Sequence, residues 1–249
     1  APDAALETAG DGPQGPDDIR PFLANVLRGR RVPPERVEEV AHTYELAGGR
    51  SPITELTHRQ AAGLQARLDA SGRSLRVYVG MRNWHPFLAD TLASMAGAGV
   101  RRAIGFVAAP HRCYSSCTQY RENVVDARRE LRTRGFPDVS IPYVGDWHEH
   151  EGFVAANADH AAQAIGRLPP DLRSHARLVF TAHSIPTQMA GGETYRRQIQ
   201  ASARRVAERL GRSDWAVAYQ SRSGRPQDPW LEPDVGDYLR VAHREGLSA

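Results

Sequence analysis

The stretch LRVYVGMRNWHPFLADTLASMAGAGVRRAIGFVAAP, residues 75–110, shows the pattern that decides the fold. Its first seven residues, 75–81, form a short apolar and β-branched run, which predicts a buried strand. A helical segment follows over 86–98 and stops at Gly99, and a second strand, AIGFVAA, covers 103–109. Two strands separated by a helix of about a dozen residues are typical of a parallel βαβ unit with a right-handed crossover.

The same alternation continues on both sides of this stretch. Apolar residues at helical spacing, with acids near the start and glycine at the end, predict further helices at 16–27, 33–49, 53–72, 118–134, 153–167, 192–210 and 234–245. Further strands are predicted at 139–144, 177–183 and 215–221. Pro142 weakens the first of these and indicates an edge or a strand end. The sequence therefore predicts an α/β protein with parallel sheets flanked by helices.

The basic residues are informative by type. All 32 are arginine, because the 249-residue chain contains no lysine. This excludes mechanisms that need a catalytic lysine, such as pyridoxal-phosphate Schiff bases, P-loops and the kinase phosphate clamp. The arginines are scattered among acids and form no basic stripe with interleaved aromatic residues, so we expect no nucleic-acid partner.

Composition also bounds the class of protein. Hydrophobic residues make up 41% and charged residues 24% of the chain, which is typical of a folded protein. No run approaches ~18 apolar residues, and the first residues carry no basic or apolar leader pattern, so we expect neither a membrane span nor a signal peptide. The two cysteines, Cys113 and Cys117, are too few for a disulfide framework, and we expect a cytoplasmic protein.

Ligands of such sheets lie beyond the carboxyl ends of the strands, and four chemically unusual segments lie there. TAHSIP (181–186) ends a strand at His183, whose imidazole could bind a metal ion, accept a proton or only cap the strand by a hydrogen bond. YQSRSGRPQDPWLEPDV (219–235) is a long loop on a rigid scaffold, in which we interpret Trp230 as core packing. The third segment is the strand end Met81–Trp84.

The fourth segment, APHRCYSSCTQYREN (109–123), is a loop rich in hydroxyls and thiols that enters a helix. A helix N-terminus favours anions, and Tyr120, about one turn in, could donate to the same anion. His111 and the two cysteines lack the paired spacing of a closed zinc site, which we do not expect.

Two other segments have competing interpretations. GGRSPI (48–53) is either a helix end followed by a helix start, or a close backbone approach in which Arg50 pairs with a carboxylate. DWHEHEGF (146–153) offers histidines and acids without the HExxH spacing, and we interpret it as a solvated loop.

These segments together resemble the ferrochelatases, which insert ferrous iron into a porphyrin. The stretches YELAGGRSPI (44–53), VGMRNWHPF (79–87), APHRCYSSCTQYREN, TAHSIP and YQSRSGRPQDPWLEPDV occur in family order, and the similarity runs from about residue 16 to the end. The resemblance implies two similar Rossmann-like, chelatase-type halves, 1–110 and 111–249, with the porphyrin in a cleft between them.

The resemblance also implies roles for individual residues. His183 matches the active-site histidine of the family, which is held to bind the incoming metal or to take pyrrole protons. Tyr120, Arg50 and Ser51 lie where relatives contact the porphyrin or its propionates. The substrates would be ferrous iron and protoporphyrin IX or coproporphyrin III. A contact with a membrane surface or another haem-pathway protein stays open.

The sequence departs from the family at both ends. The apolar first strand of the family corresponds to DAALETAGDGPQGPDD (3–18), where Glu7 and nearby glycines and aspartates predict a degraded strand, although the turn Gly12–Pro13 is kept. At the other end, the family continues into a segment with a catalytic glutamate, for which we expect no counterpart here. Some relatives hold an iron–sulfur cluster through one internal cysteine, matched by Cys117, and three near the C-terminus, so we expect no such cluster and no firmly implied cofactor.

Three functions are therefore open. The first is insertion of ferrous iron into a porphyrin. The second is a non-catalytic remnant that binds a tetrapyrrole or a metal without turnover. The third is a chelatase that acts on a different tetrapyrrole with cobalt or nickel.

Overall fold

The first unit of the protein is built on a three-stranded parallel sheet. In the computed structural model, which describes residues 1–29, 31–223 and 227–247, this sheet has the order β2-β1-β3. Its strands are β1 (Ala4–Ala9), β2 (Arg76–Met81) and β3 (Ala103–Val107). The register places Leu6 of β1 opposite Tyr78 of β2 and Gly105 of β3. The βαβ pattern predicted for residues 75–110 is therefore present, with β1 lying between its two strands.

The prediction that the first strand is degraded is wrong. All six residues of β1 are buried, Glu7 and Thr8 included, and β1 is the central strand of the sheet. A central strand satisfies its backbone hydrogen bonds on both sides, and this pairing decides its conformation in spite of the low strand propensity of its residues. Local sequence composition could not show that two other strands would flank it.

The strand β2 lies at the edge of the sheet, which corrects the prediction that it is buried. Only its last two residues, Gly80 and Met81, are buried, whereas Arg76 is exposed. The side chain of Gln65 covers part of the open edge, since its Oε1 accepts a hydrogen bond from Val77 N at 2.8 Å. Its Nε2 also donates to Leu75 O at 3.1 Å.

Within the described part of the first unit there are five α-helices. They are α1 (Ile19–Val26), α2 (Pro34–Leu46), α3 (Ile53–Ala70), α4 (Leu88–Gly97) and α5 (Gln119–Thr133). Apolar side chains of α4 and α5 form one core with β1, in which Leu92, Met95 and Leu131 are fully buried. A second cluster joins α1 to α2 through Phe22 and Ala41.

The segment predicted as a weak strand at 139–144 forms only isolated parallel bridges. Ser140 is bridged to Arg102, and Tyr143 to Gly105, at the outer side of β3. Pro142 lies between them and has no backbone N–H to donate, which accounts for the interruption. Its carbonyl still accepts a hydrogen bond from Gly105 N at 2.7 Å.

The second unit has its own parallel pair of strands. β4 (Leu178–His183) pairs with β5 (Trp215–Gln220) in a register that sets His183 opposite Gln220. The flanking helices are α6 (Glu151–Gly166), α7 (Gly192–Arg209) and α8 (Val235–Arg244). Parallel strands flanked by helices in both units confirm the predicted α/β class.

The chain passes between the units more than once. The first unit comprises residues 1–109 and 119–144, and the second comprises 110–118 and 145–249. Residues 119–144, which the sequence division placed in the C-terminal half, therefore make their contacts in the first unit. Among the residues that the structure describes, no helix is long and apolar enough to cross a membrane.

Candidate functional site

His183 is the last residue of β4, and its side chain is exposed. Its Nδ1 lies 2.5 Å from the carbonyl oxygen of Ser184. A carbonyl oxygen only accepts hydrogen bonds, so Nδ1 carries the proton in the neutral ring. Nε2 then has the lone pair, and it has no partner within the described part of the chain. This nitrogen could coordinate a metal ion or accept a proton.

The two most distinctive sequence motifs of the second unit lie against each other. Ser184 Oγ donates to Leu231 O at 2.8 Å, and Leu231 N donates to Ile185 O at 3.0 Å. Pro186 and Trp230 form an antiparallel bridge beside these bonds. The segment after β4 and the loop after β5 are thus joined through their backbones. Residues 224–226 of that loop lie outside the described residues.

Tyr195 contacts the backbone of His183, and sequence reasoning missed it. The Tyr195 hydroxyl donates to the main-chain oxygen of His183 at 3.1 Å. Burial raises the pKa of Tyr195 to about 12, so the hydroxyl stays protonated and remains a donor at neutral pH. The tyrosine packs in an apolar cluster with Ile185, Ile199 and Tyr219. Tyr195 follows His183 by 12 positions in the sequence, and no local motif relates them.

The segment 110–118 is fixed within the second unit. Cys113 is buried in the cluster around Tyr195, and Arg112 N donates to Gln198 Oε1 at 2.7 Å. The residues Tyr114–Thr118 form a single π-helical turn that leads into α5. The predicted loop is therefore an ordered turn. Cys117 is half-buried, and both cysteines are unbridged.

The interpretation of DWHEHEGF as a solvated loop is wrong for His148. Its side chain is only 15% exposed, and its main-chain oxygen accepts a hydrogen bond from Ser202 Oγ at 2.7 Å. The same hydroxyl lies 2.9 Å from Nε2 of His111, whose pKa is lowered to about 4 by burial and by the neighbouring His148. His111 is therefore neutral at physiological pH. Within the described residues, no group of three or more His, Cys, Asp or Glu side chains could hold a metal ion.

In the first unit, Tyr120 is buried near the start of α5. The guanidinium of Arg82 lies over its ring, 5.0 Å from the centroid. Burial, with a smaller contribution from the charge of Asp11, raises the pKa of Tyr120, while Arg82 opposes the shift. The net result is a hydroxyl that stays protonated and can donate to an anion.

Ser51 lies against the loop that follows β1. Its backbone N–H donates to Pro13 O at 2.8 Å, and a Cβ built on Gly12 would lie 2.5 Å from the Cβ of Ser51. Only glycine allows this approach. A Cβ on Gly10 would lie 3.7 Å from the Tyr120 hydroxyl. The structure therefore brings Ser51 and Tyr120, two predicted binding residues, to the same loop.

Asp11 holds that loop to the carboxyl end of β2. Its carboxylate accepts hydrogen bonds from the backbone N–H and the side-chain amide of Asn83, and from Trp84 N at 2.9 Å. Asp11 is a further residue of this site that sequence reasoning did not single out, and Arg82 lies in the predicted strand-end segment Met81–Trp84, in which no single residue was given a role. The available signal was their position, since both follow closely on parallel strands.

Arg50 is exposed, and its guanidinium pairs with Glu55 at 3.1 Å. A surface pair of this kind is weak, so Arg50 can exchange Glu55 for another carboxylate. A cavity of about 560 Å³ opens beside Arg82, with Arg28, Asn83 and Asn123 among its other lining residues.

Comparison with known proteins identifies the family. The ferrochelatase family model matches residues 7–249. The chain belongs to the ferrochelatase family. The ferrochelatase of Rhodopirellula baltica is 48% identical to it over 240 residues, which are 95% of this chain and 66% of that relative. Two proteins named coproporphyrin III ferrochelatase, from Mycolicibacterium smegmatis and Nocardia farcinica, are each 42% identical.

These matches confirm the family resemblance drawn from the sequence motifs. The chain spans about two thirds to three quarters of the length of these ferrochelatases: 66% of the Rhodopirellula protein, 73% of the Mycolicibacterium protein and 72% of the Nocardia protein. These alignments cover 95%, 99% and 100% of the chain, respectively. The roles of His183, Tyr120, Arg50 and Ser51 stay predictions.

Proposed function

We propose that this protein inserts ferrous iron into a porphyrin. Membership of the ferrochelatase family supports the reaction class. The observation that carries the chemistry is the hydrogen bond of His183 Nδ1 to Ser184 O at the exposed carboxyl end of β4, which leaves Nε2 as the acceptor of the neutral ring. Insertion needs a base of this kind, because the metal ion can replace the two pyrrole N–H protons only when both leave the macrocycle.

The proposed role of His183 is proton transfer, together with contact to the incoming iron. The balanced reaction takes a neutral porphyrin and Fe²⁺ to the iron porphyrin and two protons. One imidazole accepts one proton at a time, so His183 passes the first proton to solvent before it takes the second. Its exposure allows this transfer. The Nδ1 bond to Ser184 keeps the ring in the tautomer that accepts at Nε2.

The proposed role of the Tyr120–Ser51 region is to bind a propionate of the macrocycle. Tyr120 offers a protonated hydroxyl, and Arg82 lies over its ring. Arg50 can exchange its ion pair with Glu55 for one with a propionate. Hydrogen bonds from neutral donors and a nearby guanidinium favour a carboxylate. Binding the periphery of the ring in this way supplies energy for distortion of the macrocycle at the reacting centre.

We propose coproporphyrin III as the preferred porphyrin, with protoporphyrin IX as the alternative. Support comes from the two relatives at 42% identity that are named for coproporphyrin III. The cytoplasmic location and the expectation that the chain holds no cofactor of its own stay predictions.

The test is an anaerobic assay of metal insertion by the whole chain. Ferrous iron is offered with each porphyrin, and product is followed by its absorption spectrum. We expect His183→Ala to lower kcat by at least about 10²-fold, the usual contribution of a general base. His160→Ala is the matched control, since His160 is an exposed histidine on α6 in the same unit, and its rate should be unchanged.

The other two functions are outcomes of this assay. Porphyrin binding without insertion, identical in the wild type and in His183→Ala, would support a non-catalytic binding protein. Insertion of cobalt or nickel but not of iron would support a chelatase for another tetrapyrrole. Either result contradicts the proposal.

A further inference from the structure

Glu7 is a buried carboxyl group that the proposed reaction does not use. It lies in the middle of β1, the central strand of the first sheet, and its relative exposure is 0%. Neither carboxyl oxygen has a hydrogen-bond partner within the described part of the chain. A buried carboxylate without partners is strongly disfavoured, whereas the neutral acid is tolerated far better.

The surroundings of Glu7 follow from the alternation of side chains along a strand. Ala4 and Leu6 pack into the core with α4 and α5, so Glu7 faces the opposite side of the sheet. Val79, its partner in register on β2, lines a cavity with residues of α3, and Phe106 is its partner on β3. Neither partner can neutralise a carboxylate.

The charged groups on this side of the sheet lie at its rim. His58 of α3 lines the same cavity as Val79 and is exposed. Arg76 of β2 also borders that cavity, but it pairs in register with Ala4 and lies over the ring of Tyr78, so its side chain belongs to the other face of the sheet. The buried residues of α3 are Thr54, Thr57 and Ala61, and those of α1 are Ile19, Phe22 and Leu23, all of them uncharged. Among the described residues, the structure therefore gives Glu7 no compensating cation.

We propose that Glu7 makes the first unit a pH-sensitive element, in which the sheet is stable while the Glu7 carboxyl is neutral and loosens when it ionises. The strand that carries Glu7 leads directly into the loop Gly10–Pro13, which contacts Ser51. Ionisation would therefore weaken the support of that loop. The proposal concerns stability and does not depend on the proposed iron insertion.

The direction of the pH effect follows from the folded and unfolded states. Burial raises the pKa of Glu7 from 4.5 to about 7. Because the folded state holds the Glu7 proton more tightly, the contribution of Glu7 to stability is fully present below pH 4.5, falls as the pH rises through about 7 and levels off above that. If the whole shift of the Glu7 pKa acts on the fold, the equilibrium constant for opening of the first unit rises on the order of 10²-fold between pH 5 and 8.

Hydrogen exchange of the whole chain, resolved into peptides by mass spectrometry, tests this. Exchange rates of wild type and Glu7→Gln are compared at each pH from about 5 to 8, so that the intrinsic pH dependence of exchange cancels. In peptides of β1, β2 and β3, we expect the exchange rate of the wild type divided by that of Glu7→Gln to rise on the order of 10²-fold over this range. The same ratio in peptides of β4 and β5 should stay constant.

Two further variants complete the experiment. Glu7→Leu replaces the titratable carboxyl group with an apolar side chain. If Glu7→Gln folds poorly, the exchange rate of the wild type divided by that of Glu7→Leu should show the same rise with pH. Glu35→Gln, which changes an exposed glutamate of α2 in the same unit, should give a ratio that does not change with pH. A constant ratio in the β1–β3 peptides for both Glu7 variants would overturn the proposal.

Discussion

The hydroxyl of Tyr195 holds the main-chain oxygen of His183 by a hydrogen bond of 3.1 Å. This bond links the first turn of α7 to the carboxyl end of β4 and fixes the backbone from which the histidine projects. Two further bonds lie close to this point, from Ser184 N to Gln220 O and from Ser184 Oγ to Leu231 O. The position of the proposed base is therefore set by its backbone neighbours.

Tyr195→Phe should remove this bond while it keeps the apolar packing. We expect the free energy of unfolding to fall by about 1 kcal/mol, the usual net value of one hydrogen bond. Because the backbone of His183 is then less well fixed, we expect kcat for iron insertion to fall while KM for porphyrin stays unchanged. Tyr238→Phe is the control, since it loses a bond from Arg177 just before the start of β4, and its kcat should be unaffected. Equal kcat values for the two variants would contradict the positioning role.

Tyr120→Phe should weaken porphyrin binding. Its buried hydroxyl has a raised pKa and stays a donor over the neutral range, and a hydrogen bond to a carboxylate is worth about 1.5–3 kcal/mol. We expect the dissociation constant, measured by quenching of porphyrin fluorescence, to rise about 10- to 100-fold. Tyr78→Phe on β2 should bind as the wild type does. An unchanged constant for Tyr120→Phe would remove Tyr120 from the site.

Gly12→Ala should displace the loop after β1. The new Cβ would lie 2.5 Å from the Cβ of Ser51, so the GGRS turn must shift. We expect a loss of about 1–3 kcal/mol in the free energy of unfolding, and weaker porphyrin binding. Gly15→Ala is the matched control, because a Cβ there meets no atom within 4 Å and its backbone is extended. If both variants bind porphyrin with equal affinity, the loop does not shape the site.

Asp11→Ala should loosen the same loop from the end of β2. Three donor groups on Asn83 and Trp84 lose their carboxylate, and we expect the free energy of unfolding to fall by about 2–3 kcal/mol. Urea unfolding followed by circular dichroism measures this as a lower midpoint. Asp17→Ala is the matched control, because Asp17 is an exposed aspartate in the same unit, and its free energy of unfolding should change by no more than about 0.5 kcal/mol. Equal midpoints for the two variants would show that the carboxylate of Asp11 does not hold the loop.

Much of the fold follows from local sequence patterns. The strand that ends at His183 is an apolar run bounded by turn signals, and its carboxyl end, in a parallel sheet, is where a ligand is expected. The helices were predictable for the same reason, since their apolar spacing and glycine ends are local features. These predictions needed no knowledge of which elements pack together.

The features that sequence reasoning missed depend on tertiary contacts. Glu7 lies in a buried strand because two other strands flank it, and His148 is partly buried beside Ser202 of α7, whose hydroxyl donates to its main-chain oxygen. Tyr195 reaches His183 only once α7 has packed beside β4. In each case the deciding partner is distant in sequence, so composition and periodicity carried no signal for it.

The passage of the chain through the second unit at 110–118 has a consequence for its synthesis. Val124, Ala127 and Leu131 of α5, which close the core of the first unit, are made only after this passage. The ribosome must therefore release residues 110–118 before the first unit can close, while Gln198 and Ser202, which hold that segment, are still unmade. No single cut in the chain yields two complete units, and we expect fragments divided at residue 110 to fold only when both are present.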